Sequence, residues 1–168
     1  MSILSRRNLL RGQWRRSSAI RPPWSIEEQR FVDGCSRCHA CVEACETGVI
    51  IVSNARAFPE IDFQRAECTF CGRCAEVCPE PLFRPLETQP WQRIAVINQT
   101  CLTYQGVTCR SCQDVCEPNA IKFRLRLGGT AQPELDQQSC TGCGSCVRSC
   151  PVQAITTRES DKDNDGKE

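Results

Sequence analysis

Cys140-Thr141-Gly142-Cys143-Gly144-Ser145-Cys146-Val147-Arg148-Ser149-Cys150-Pro151 decides how this chain is read. Three cysteines stand at three-residue spacing, a fourth follows four residues on, and a proline comes directly after it. That spacing suits a cubane of four irons and four sulfides, whose iron corners lie close enough for one curling segment to place a thiolate on each of three of them. The intervening residues must tolerate unusual dihedrals where the backbone approaches the cluster, and Gly142 and Gly144 do. Backbone N–H groups of such a turn point at sulfur and tune the reduction potential. The fourth cysteine of such a run serves a neighbouring cluster, so one run implies another.

Three further runs are present. Cys35, Cys38, Cys41 and Cys45 form the first, and Cys68, Cys71, Cys74 and Cys78 the second. Cys101, Cys109, Cys112 and Cys116 form the third, with Cys101 set back; with Cys140, Cys143, Cys146 and Cys150 they use all 16 cysteines. The first cysteines of runs one to three are 33 residues apart and those of the last two 39, the signature of an internal repeat. The runs pair into two modules resembling bacterial ferredoxins. The expected fold is α+β and small: two tandem modules with short hairpins and short helices around [4Fe-4S] clusters, four in all.

Leu, Ile, Val and Phe together make 35 of 168 residues, too few for a large core. A domain of about 60 residues buries only about 60% of its unfolded surface and needs staples; here clusters would supply them, coupling metal binding to folding. Sixteen cysteines could instead form a disulfide framework, but that belongs to secreted chains and no cleavable signal peptide is legible. Structural zinc takes two well-separated cysteine pairs rather than runs of three.

Residues 1–25 form a basic arm, with six arginines and no acidic residue in the first 24 positions. Ser5-Arg6-Arg7-Asn8-Leu9-Leu10 imitates a twin-arginine export signal but lacks the apolar stretch that should follow, so a cytoplasmic location is expected. The arm reads either as a helix carrying Ile3, Leu10 and Trp14 on one side or as a frayed, solvated segment. Arg21-Pro22-Pro23-Trp24 is a stiff extended element that should lay Trp24 on the first module.

The first module spans 26–87, the second 91–157, and a charged tail 158–168. His39 lies inside run one, but all four thiolates are present without it, so it reads as a surface histidine. Ile50–Val52 and Phe58–Phe63 read as strands around a polar turn. Run one carries Glu46 where proline is expected, which bears on the local turn. A proline-rich joint (Pro79, Pro81, Pro85, Pro90) leads to Trp91 and a strand at Ile94–Ile97. Run three is loosened by Leu102–Thr108, and Pro118 is displaced by one residue. Ile121–Leu127 alternates apolar and basic residues, which predicts a half-buried strand with Lys122, Arg124 and Arg126 on the wet face, turned back by Gly128-Gly129. The tail mimics the opening of a calcium loop but ends before its closing glutamate, so no calcium site is expected.

An oxidised four-iron cluster with four thiolates carries about −2, so four add about −8 to the formal charge and leave the arm as the basic end. No apolar run is long enough to span a membrane, and nothing points to nucleic-acid readout. No nucleophile–base constellation or nucleotide-binding glycine loop is present, so an enzyme is not expected.

From Ser5 to about Thr157 the chain resembles the NapF family, the ferredoxin-type accessory proteins of periplasmic nitrate reductase systems. The resemblance rests on Ser5-Arg6-Arg7 with Trp14, on Arg21-Pro22-Pro23-Trp24, and above all on the loosened run Cys101-Leu-Thr-Tyr-Gln to Cys109-Arg-Ser-Cys112-Gln-Asp-Val-Cys116-Glu-Pro118. It implies a cytoplasmic protein that meets the precursor of the nitrate reductase catalytic subunit before export and assists its maturation or cluster insertion. Other redox or assembly proteins are further expected partners. An electron-relay polyferredoxin is the alternative. By the ferredoxin pattern, Cys35, Cys38 and Cys41 share a cluster with Cys78, and Cys68, Cys71 and Cys74 share one with Cys45. In the same pattern Cys101, Cys109 and Cys112 go with Cys150, and Cys140, Cys143 and Cys146 with Cys116.

Overall fold

The computed structural model describes residues 19–52 and 57–160. The arm as far as residue 18, the turn at 53–56 and the tail from 161 lie outside the described residues. Five short helices are described: α1 (Glu28–Gly34), α2 (Ala40–Glu43), α3 (Arg73–Glu76), α4 (Ser111–Asp114) and α5 (Ser145–Ser149). A 3₁₀ turn covers Leu102–Gln105. The strands are β1 (Ile50–Val52), β2 (Pro59–Ile61), β3 (Arg93–Ile97), β4 (Ile121–Arg124), β5 (Gln132–Leu135) and β6 (Ile155–Glu159).

They form three two-stranded antiparallel ladders, β1–β2, β4–β5 and β3–β6. The first two are the central hairpins of the two modules, with Ile50 opposite Ile61 and Ile121 opposite Leu135. The third closes the second module on itself, pairing Arg93 with Glu159 and Ile97 with Ile155. The first module closes at the equivalent place by a single antiparallel bridge, Ser25 to Phe83. Pro79, Pro81 and Pro85 surround that bridge, and proline cannot donate to a ladder. Trp24 compensates. It is 5% exposed, its Nε1–H donates to the Thr88 carbonyl at 2.8 Å, and its N–H donates to the Pro90 carbonyl at 2.7 Å. Arg21 fixes the approach: its guanidinium holds Glu28 through two 2.7 Å bonds, donates to the Pro59 carbonyl and lies over the Phe31 ring.

Buried residues of both modules belong to one continuous core, in which Ile50, Ile61 and Phe63 join Ala95, Ile121, Val147 and Ile155. The alternating stretch behaves as expected only in part. Ile121 is buried and Phe123 half-buried, but β4 stops at Arg124, and Leu125 and Leu127 are 85% and 108% exposed. The alternation fits a longer strand, yet its partner β5 offers only four residues, so the remainder projects as the hairpin loop.

Candidate metal centres

The third cysteine of every run is the second residue of a short helix: Cys41 in α2, Cys74 in α3, Cys112 in α4 and Cys146 in α5. All four are buried, at 7–9% exposure. In runs one, two and four the residue before the helix is left-handed: His39 (φ 63), Gly72 (φ 79) and Gly144 (φ 84). A second left-handed residue stands two positions earlier, at Arg37, Phe70 and Gly142. These paired reversals curl the backbone around a common centre. His39 therefore sits at a conformational position that glycine fills elsewhere. It is also not the surface histidine expected, since it is half-buried and its Nε2 is shielded without a hydrogen-bond partner.

Run three is built differently. Arg110 before α4 is not left-handed (φ −136), and Cys101 arrives through the 3₁₀ turn Leu102–Gln105, which Gly106 (φ 82) ends. Cys101 is nevertheless buried, with its sulfur 3.3 Å from the Thr103 hydroxyl. Thr103 is 2% exposed, and its carbonyl accepts the Thr130 hydroxyl at 2.7 Å, tying the turn to the β4–β5 loop.

After the fourth cysteine, runs one, three and four turn alike. Gly48, Asn119 and Gln153 are left-handed and return their N–H to the carbonyls of Cys45, Cys116 and Cys150. The chain then enters a strand through Val49-Ile50, Ala120-Ile121 and Ala154-Ile155, all buried. Glu46 in place of proline thus leaves the turn intact, because its shape rests on Gly48. Run two has no such turn: Cys78 leads into the proline joint.

The structure brings the thiols together in sets that cross between runs. One hollow is lined by Cys68, Cys71 and Cys74 with Cys45. Another is lined by Cys140, Cys143 and Cys146 with Cys116. In the other two sets, burial and then the neighbouring thiols Cys78, Cys35 and Cys38 push Cys41 up to about 11. Burial, followed by Cys101, Cys109 and Cys150 among its neighbours, pushes Cys112 up to about 11. Burial likewise raises Cys68, Cys74 and Cys146 to about 12, with nearby thiols adding to it. Such thiols stay protonated until a positive centre arrives, so loading must release protons.

Hydrogen bonds are already aimed at sulfur. Cys45 is partly buried, which pushes it up, but N–H groups of Ile50, Val49 and Gly48 with the Thr47 hydroxyl outweigh burial and lower it. The Ala95 N–H points at the Cys140 sulfur at 3.5 Å and the Ala154 N–H at the Cys150 sulfur at 3.2 Å. Thr47, Thr103 and Ser111 each stand two residues after a cysteine and direct a hydroxyl at it. The signal for these contacts in the sequence is a Cys-x-Ser/Thr pattern at Cys45-Glu46-Thr47, Cys101-Leu102-Thr103 and Cys109-Arg110-Ser111.

The donor set fits clusters and disfavours the alternatives. All 16 cysteines are free thiols, so no disulfide framework is formed. No three His, Cys, Asp or Glu side chains among the described residues close on a single metal ion. A tetrahedral zinc site with bonds near 2.3 Å would hold its sulfurs within roughly 4 Å of each other, whereas a cubane spreads its thiolates around a larger body.

Two segments match the family described as a 4Fe-4S dicluster domain, residues 34–83 and 107–154. The chain is 51% identical over 153 residues to the ferredoxin-type protein NapF of Escherichia coli (strain K12), covering 90% of this chain and 93% of the relative. The chain belongs to the NapF family. The NapF of Haemophilus influenzae is 44% identical over 167 residues, covering 93% of this chain and 94% of its own length. A more distant relative, the methylamine utilization ferredoxin-type protein MauM of Methylophilus methylotrophus, is 32% identical over 161 residues. The chain is an iron–sulfur protein with two segments of dicluster type. The second segment begins at residue 107, after Cys101. No helix among the described residues is long and apolar enough to cross a membrane.

Proposed function

We propose that this chain carries four [4Fe-4S] clusters and serves, in the cytoplasm, the maturation of the catalytic subunit of a periplasmic nitrate reductase before its export. The ligand sets are Cys35, Cys38, Cys41 and Cys78; Cys45, Cys68, Cys71 and Cys74; Cys101, Cys109, Cys112 and Cys150; and Cys116, Cys140, Cys143 and Cys146. When bound, a cluster supplies one-electron chemistry, or iron and sulfide themselves. The protein's own residues hold each set in shape: left-handed residues curl the runs, buried helix-borne cysteines anchor them, and N–H and hydroxyl groups stabilise thiolate. The observation that carries the accessory reading is the shallowness of these sites. Cys38 and Cys71 are exposed, which places ligands of two sets where a partner protein reaches them.

The basic arm is the partner-facing element on this reading, and an acidic holo-protein body makes it the cationic end. Full-length and arm-deleted protein should be tested for co-purification with the nitrate reductase catalytic subunit in precursor and exported forms. Preferential capture of the precursor, weakened by removing residues 1–18, is the expected result. Equal or absent binding to both forms, with fast electron transfer to a membrane redox partner, would replace maturation with a relay role.

A further inference from the structure

Runs two and four meet directly. The Cys68 N–H donates to the Cys143 carbonyl at 2.9 Å, so a ligand-bearing residue of the first module is hydrogen-bonded to one of the second. Aromatic rings cluster beside the two runs. Trp91 stands edge-on to Phe63 at 6.0 Å and to Phe70 at 5.4 Å, and Trp24 to Phe70 at 6.4 Å. The Trp91 Nε1–H donates to the Thr141 carbonyl at 3.0 Å, fastening the ring to run four. Gly144 lies so near the Phe63 ring that a Cβ at that position would overlap it. This side of run four is therefore fitted to the first module at contact distance, and the fit uses residues between cysteines of both runs.

We propose that this junction is an electron contact joining the two modules, so that the four thiol sets form one line. The order is the Cys78-containing set, the Cys45-containing set, the Cys116-containing set and the Cys150-containing set. Two covalent paths, one from each inner set, reach the junction through the side chain and backbone of Cys68 and of Cys143, and one hydrogen bond spans them. Phe63 is buried and Phe70 and Trp91 are half-buried beside the bond, and such packing lowers the local dielectric and the solvent rearrangement that a charge shift requires. A step across it moves one electron: the inner set of one module is oxidised by one, that of the other reduced by one, and no bond or proton changes place. A low-potential one-electron donor supplies the electron from outside. Sequence order would instead make two independent pairs, each ending at the proline joint. The inference rests on the ligand sets proposed above, and counting iron separates failure of those sets from failure of the junction.

The test uses the full-length holo-protein, reduced anaerobically with dithionite, after iron and acid-labile sulfide have been counted. Pulsed EPR should show the four spins coupled in a line, with two of them feeling two neighbours each. Trp91→Ala removes the fastening ring, and Gly144→Val pushes the Phe63 ring away. At full iron content either variant should lose the coupling between modules while keeping that within each. Two independent coupled pairs in the fully loaded wild type would overturn the proposal. So would Trp91→Ala and Gly144→Val proteins that retain all their iron and the wild-type coupling. Iron short of four clusters in the wild type overturns the ligand sets, before any spectrum is read.

Discussion

In the second module the first and last strands meet along five residues, Arg93–Ile97 against Ile155–Glu159, whereas in the first the same closure is one bridge between Ser25 and Phe83. Each half otherwise has a central hairpin and third cysteines buried on short helices. The difference shows where the fold draws its order. A hydrogen-bonded ladder, with Ile94 and Ile155 nearly inaccessible in it, gives the second half some structure independent of its thiols. The first half has prolines where the ladder would be, and depends on Trp24 and on whatever its cysteines hold.

Removing the metal breaks this comparison most severely. Small domains held by a structural metal draw about 10–16 kcal/mol from it, far more than either hairpin supplies. Anaerobic chelation of the iron should abolish the cooperative thermal transition of the whole chain. Hydrogen exchange on the iron-free chain should then show the first module's amides opening freely, with residual protection confined to β3 and β6. An iron-free chain that still melted in one sharp transition would show that the thiol sets are passengers in a self-sufficient fold.

A narrower test separates the halves while leaving the iron in place. Trp24 closes the first module and lines the cavity of Cys45, Cys68, Cys71 and Cys74. Replacing a buried tryptophan by alanine costs about 3–5 kcal/mol, and here the loss also opens that cavity to solvent. Trp24→Ala protein in air should lose first-module iron much faster than wild type, with second-module iron decaying at its usual rate. Mössbauer spectra taken during the decay, with the modules distinguished by cysteine substitution, would read this. Equal acceleration in both modules would mean that the continuous core, rather than the local closure, sets cluster lifetime.

The cysteine runs were legible because a cluster asks for closely spaced thiolates, and the structure places cysteines of different runs side by side, Cys45 with Cys68, Cys71 and Cys74 and Cys116 with Cys140, Cys143 and Cys146. Both central hairpins followed from Ile50–Val52 with Phe58–Phe63 and from the alternating Ile121–Leu127, although the latter strand ends at Arg124. The closing ladder was half legible, since β3 is apolar but its partner Ile-Thr-Thr-Arg-Glu at 155–159 has mixed composition and lies some 60 residues away. Leu125 and Leu127 misled because alternation reports which way side chains would face in a strand, not how long the partner strand is. The junction between runs two and four leaves no periodic trace. It consists of a backbone hydrogen bond, a glycine and three aromatic rings scattered from Phe63 to Trp91, each of which reads locally as ordinary core.

His39 provides the smallest and most discriminating contrast. It occupies in run one the left-handed position that Gly72 and Gly144 occupy in runs two and four. A side chain in that conformation costs about 1–2 kcal/mol, while glycine would give back about 0.5–1 kcal/mol through the greater freedom of the unfolded chain. His39→Gly should therefore stabilise by about 0–1.5 kcal/mol. Iron and sulfide content should stay at the wild-type value, because the Cys35, Cys38, Cys41 and Cys78 thiols complete the set without an imidazole. Thermal melting of the holo-protein beside an iron assay measures both. Retained iron with a small gain in stability makes His39 a tolerated stand-in for glycine. Loss of iron would make it part of the site, through the shielded Nε2 that has no hydrogen-bond partner.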